Sequence, residues 1–121
     1  ITITGGTRIP SCAFDGFSKV TSIVLPEGIT SIGDYAFSNC NHLTSITLPD
    51  SLTSIGYFSF YNCSSLRSIT LPDSVTSIGN YAFVDCSSLT IYCEVSSKPS
   101  GWSSYWNYDD RPVVWGYSEN A

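Results

Sequence analysis

The sequence predicts a repeat solenoid, in which short parallel β-strands stack coil on coil, short helical or 3₁₀ turns join them, and an aromatic cap closes the C-terminal end. Three observations predict it. The stretch LTSITLPDSLTSIGYFSFYNCSS (43–65) is followed at once by LRSITLPDSVTSIGNYAFVDCSS (66–88), identical at 16 of 23 positions. The same period reaches upstream through 20–42, a partial copy occupies 8–19, and a divergent one fills 89–121. Laid in register, the apolar residues form constant columns: Val20, Leu43, Leu66 and Leu89; Ile23, Ile46 and Ile69; Ile32, Ile55 and Ile78; Phe14, Phe37, Phe60 and Phe83. One coil cannot bury its own apolar face, whereas stacked coils bury these columns as ladders.

The first copy opens partway through a unit, because Ile9, Ala13 and Phe14 stand where Ile32, Ala36 and Phe37 stand one period later. We therefore expect a single domain over 1–121 that is a monomeric piece of a longer chain. Within each unit, L-x-x-I-x-L (Leu43, Ile46, Leu48) interleaved with Thr and Ser reads as a short strand, half of it exposed. Pro49 cannot donate to a ladder, and Asp50 and Ser51 favour turns, so the strand ends there. A second extended piece, 52–55, points Leu52 and Ile55 at the same interior. Gly33, Gly56 and Gly79 then recur where the chain must turn, and a positive φ is expected at each. Ala36, Phe37 and Cys40, at i, i+1 and i+4, fit one short helical turn.

The set L-x-x-I-x-L-P, T-S-I-G and A-F-x-x-C at a 23-residue period resembles the BspA-like leucine-rich repeats of bacterial surface proteins and some protist relatives, over roughly residues 8 to 116. The resemblance implies a leucine-rich-repeat solenoid that is extracellular or on the cell surface. It also implies adhesion to host or microbial proteins or glycans, and it carries over no binding residue.

The closing segment compresses Trp102, Trp106, Trp115, Tyr105, Tyr108 and Tyr117 into a short space. It reads as a cap over the last apolar layer: with a one-residue deletion, Leu89, Ile91 and Cys93 continue the columns of Leu66, Ile69 and Leu71, and 112–115 adds a final strand. The rival reading is an aromatic platform on which a sugar stacks.

Cys40, Cys63 and Cys86 share one column and are expected as buried free thiols, since parallel Cβ vectors about 4.8 Å apart exceed the roughly 3.8 Å of a disulfide. Phe17 takes that position in the first copy, which suits packing. Cys12 and Cys93 fall in other columns, so no metal set forms. Glu27, Asp50 and Asp73 make a charge ladder. Local turn chemistry explains it more simply than a hard cation would, and no metal or cofactor is assigned.

His42, the sole histidine, reads as an exposed turn residue, so no nucleophile with a base can be nominated and the chain is read as no enzyme. A net charge of −5 with five scattered Lys and Arg leaves no basic patch for nucleic acid, and no apolar run approaches the roughly 18 residues that span a bilayer. Recognition belongs to exposed columns that vary between copies. The candidates are Tyr57 and Tyr61 after the glycine, and Thr44, Thr47, Arg67 and Thr70 on the strand face. The expected function is a non-catalytic binding module for an extracellular protein or glycan. The alternative is a structural spacer with no ligand of its own.

Overall fold

The computed structural model describes residues 6–118, so the outermost positions of the expected domain, 1–5 and 119–121, lie outside the described residues. Each coil contributes two short strands. The first set comprises β2 (Ser22–Val24), β4 (Ser45–Thr47), β6 (Ser68–Leu71), β8 (Thr90–Cys93) and β9 (Val113–Trp115). The second comprises β1 (Arg8–Ile9), β3 (Ser31–Ile32), β5 (Ser54–Ile55) and β7 (Ser77–Ile78). All pairings are parallel. β1, β3, β5 and β7 form one continuous sheet in register, Ile9 to Ile32 to Ile55 to Ile78, and Trp102 adds a bridge beyond Ile78. The last copy is shorter, as Ile69 pairs with Ile91 and Leu71 with Cys93, and β9 extends that sheet beside β8.

The columns become the core. Leu43, Leu66, Leu89, Leu52, Phe37, Phe60 and Phe83 are buried, and the three phenylalanines stack at 5.4 Å between centroids. The hydroxyl-rich columns hold the stack from outside. Thr30, Thr53 and Thr76 each donate an Oγ1 hydrogen bond to a carbonyl one period earlier, on Thr7, Thr30 and Thr53. Ser51 and Ser74 do the same at the proline corner, to Ile29 and Leu52. These bonds satisfy carbonyls that a coil alone would leave to water.

The segment after the glycine is not a helical turn, and no helix is present among the described residues. Alternate amides serve different partners. Tyr35, Phe37 and Asn39 donate to carbonyls of the next coil, on Tyr57, Ser59 and Tyr61, while Ala36, Ser38 and Cys40 donate back three residues to Gly33, Tyr35 and Phe37. Half of the segment is thus a ladder rung, whereas successive residues of a helical turn repeat one right-handed conformation and send their amides in one direction along its axis. The left-handed backbone that this requires falls at Tyr35, Phe58 and Tyr81 (φ 59°, 53° and 58°) and at Asn39, Asn62 and Asp85.

Gly33, Gly56 and Gly79, expected at positive φ, do not have it. They are needed for close approach instead: a Cβ on Gly33 would lie 2.5 Å from the Ser11 amide nitrogen, and one on Gly79 2.6 Å from that of Tyr57.

An exposed aromatic row as the candidate functional site

Left-handed backbone at Tyr35, Phe58 and Tyr81 turns their rings outward while Ala36, Phe37 and their counterparts point in. The outward rings form a column along the stack. Tyr35 and Phe58 are parallel at 5.1 Å, Phe58 and Tyr81 are tilted at 5.2 Å, and Tyr81 and Tyr105 are parallel at 5.7 Å. Both faces of Phe58 and Tyr81 are therefore occupied by neighbours. Tyr57, Tyr61 and Tyr108 sit perpendicular to this column, Tyr57 against Tyr35 and Phe58, Tyr61 against Phe58, and Tyr108 against Tyr81. Because the column's faces are taken, its ring edges must meet the inner faces of these flanking rings, an edge-to-face packing. Of these flanking rings Tyr57 is 46% exposed and Tyr108 61%, while Tyr61 is half-buried; Tyr105, at the end of the column, is 49% exposed.

Carboxylates border the row. Asp34 Oδ1 accepts the Tyr57 amide at 3.0 Å, and its charge, followed by partial desolvation, raises the Tyr57 phenol above its ordinary pKa. At the far end, Asp109 Oδ2 accepts the Asp85 amide at 2.8 Å, directly after Tyr108. Asp110 follows, also exposed.

Thr44, Thr47, Arg67 and Thr70 lie on a different side of the coil, along β4 and β6. There the first-strand ladder is interrupted, since β2–β4 and β6–β8–β9 are separate sheets. Thr44 donates its amide and its Oγ1 to Thr21, and Thr90 donates its amide to Arg67, but no such rung joins β4 to β6. A slot of about 200 Å³ opens at the break, lined by Thr47, Thr70, Ile46, Asp50 and Glu94 among others. Thr47 and Thr70 are thus brought to one cavity, and Tyr57 and Tyr61 to one ring cluster, but the two groups do not meet.

The closing segment divides between its two readings. Trp102 and Trp106 are buried over the last layer, with Trp102 Nε1 donating to the Val75 carbonyl at 3.0 Å. Tyr105 and Tyr108 instead prolong the exposed row. Sequence columns missed these two, because the cap's turn is offset by 24 residues: Ser103 donates to Ile78 where Gly79 donates to Ile55.

The cysteine column is free and buried, and each thiol donates to a phenylalanine carbonyl of the previous coil: Cys40 to Phe14, Cys63 to Phe37 and Cys86 to Phe60. Burial pushes Cys40 up to about 11 and Cys93 up to about 12, and the adjoining Cys86 thiol together with burial holds Cys63 far above the ordinary range. The corner carboxylates do not cap their own turns. Glu27 accepts the amide of Asp50 and Glu94 that of Asp73, each 3.0 Å away in a neighbouring coil. His42 is exposed.

No curated protein matches the chain. Among solved structures, it is similar to a leucine-rich cell surface protein from Faecalibacterium prausnitzii at 29% identity and a TM-score of 0.80, covering 99% of this chain and 32% of that one. A leucine-rich repeat protein from Bacteroides capillosus aligns at 31% identity and a TM-score of 0.61, over 72% of this chain and 62% of that one. One from Bacteroides ovatus aligns at 34% and 0.66, over 89% and 24%. The chain spans about a third of the length of the first of these. The family model for the BspA-type leucine-rich repeat region matches residues 7–100 in six copies. With its period, its ladders and these matches in agreement, the chain belongs to the BspA-type leucine-rich-repeat family.

Proposed function

We propose that this chain is a non-catalytic binding module of a bacterial cell-surface or secreted protein, attaching to an extracellular protein or glycan. The ring row carries the reading: its half-buried rings and the exposed Tyr57, Tyr105 and Tyr108 form a contiguous aromatic surface, where the other exposed large side chains, Phe17, Val24, Val114 and Trp115, lie apart from it, and such a patch marks an interaction site. Aromatic anchors of this kind commonly dominate binding energy. Tyr57 and Tyr61, extended by Tyr105 and Tyr108, form the principal contact, and Thr44, Thr47, Arg67 and Thr70 form a second, polar surface beside the slot. Support for a surface location comes from the Faecalibacterium relative, which is described as a cell surface protein.

An array of matrix proteins and glycans tests this. The wild-type chain should bind at least one component, and Tyr57→Ala with Tyr61→Ala should weaken that binding about tenfold or more while leaving cooperative unfolding intact. Attachment unaltered by these changes and by Arg67→Ala would favour a display spacer.

A further inference from the structure

The aromatic row is bordered by acids and lacks bases. The turn segments 34–39, 57–62, 80–85 and 103–110 contain Asp34, Asp85, Asp109 and Asp110 and no Lys or Arg. Of the described basic groups, Arg8 is on β1, Arg67 stands just before β6, and Lys19 and Lys98 are in other loops; Arg111 directly follows Asp110 but turns its Nε to the Leu89 carbonyl. Among the described residues no ion pair neutralises these carboxylates.

From this we infer that the row is a docking surface for an extended, Lys- or Arg-bearing protein segment. The inference rests on the binding-module reading above and names its partner class. Asp34 stands beside Tyr57, whose amide it accepts and whose phenol its charge affects, and at the far end Asp109, held by the Asp85 amide, directly follows Tyr108 in the chain. The negative π-face and the adjoining carboxylate both attract a cation, and a guanidinium satisfies both at once. Tyr57 and Tyr108 lie two coils apart in neighbouring columns of the turn, at least about 10 Å from one another along the stack, so a partner that meets both is extended and bears more than one basic side chain. A neutral sugar would stack on the same faces but leave the carboxylates uncompensated.

The test uses the whole chain and two synthetic peptides of Gly and Ser, one with Arg at every fourth position and one with Gln at those positions, titrated at low and at physiological salt. The Arg peptide should bind and the Gln peptide should not, with affinity falling severalfold as salt rises. Asp34→Asn and Asp109→Asn keep their hydrogen-bond acceptors, and each should weaken binding about threefold or more. Tyr57→Phe, which keeps the face, should bind as the wild type does, while Tyr57→Ala should not. Equal binding of both peptides overturns the cationic partner. So does failure of both while the chain still binds a neutral glycan or matrix protein, a result that leaves the binding-module reading standing. Failure on every surface overturns both.

Discussion

Gly56 shows how a single residue sets the coil spacing. A Cβ there would meet the Asp34 carboxylate and lie 2.7 Å from the Asp34 amide nitrogen, so the neighbouring backbone would have to move. Gly56→Ala should cost about 1–3 kcal/mol in chemical denaturation, as overpacking does. The thiols make a second prediction at this scale. Cys40 has a folded pKa of about 11 against an ordinary value of 9.0, so above pH 9 the unfolded chain binds fewer protons than the folded one. Its contribution to stability is complete below pH 9 and is lost as pH rises towards 11. Urea midpoints should fall across that window, and Cys40→Ala should flatten the fall. A thiol reagent at neutral pH should label exposed Cys12 in the folded protein, and Cys63 only after unfolding.

At the scale of elements, the strand ladders and the proline corners were legible because their letters recur: Leu, Ile and Pro have one job each in every coil. The turn was not. Ala36, Phe37 and Cys40 point inward at a spacing that a helical turn and a rung-bearing turn share, and only the amide partners separate them. Those partners lie in another coil, where local periodicity does not reach. Asn39 and Asn62, a residue type that tolerates left-handed backbone, carry a hint that the helical-turn reading passed over, whereas Tyr35 and Tyr81 carry none. The break between β4 and β6 was also hidden, since it separates the two most similar copies in the sequence. Lacking rungs there, the amides of Ile46, Leu48 and Thr70 face the slot rather than a partner strand. They should exchange with deuterium faster than those of Ser45 and Thr47, which face β2. Equal protection on both sides of β4 would mean that the ladder is closed.

Across the whole molecule, the constant columns build the stack and the variable ones decorate it, and the division holds down to the cap. Tryptophans from the last copy seal the core, while tyrosines from the same stretch extend the row that begins at Tyr35. Tyr57 and Tyr61 were legible as candidates because they differ from Asn80 and Val84 in matching columns. Tyr105 and Tyr108 were legible only as members of a closing aromatic segment, cap or platform, and not as a continuation of this row, because the 24-residue offset removes them from those columns. The central claim, that this row is the binding surface and is dispensable for the fold, is tested most directly by Tyr57→Ala/Tyr108→Ala. Its thermal melting and its attachment to a bound matrix component should be measured side by side with the wild type. The account predicts attachment reduced about tenfold or more with a cooperative transition within a few degrees of the wild type. Attachment that survives both changes in a folded protein would contradict it.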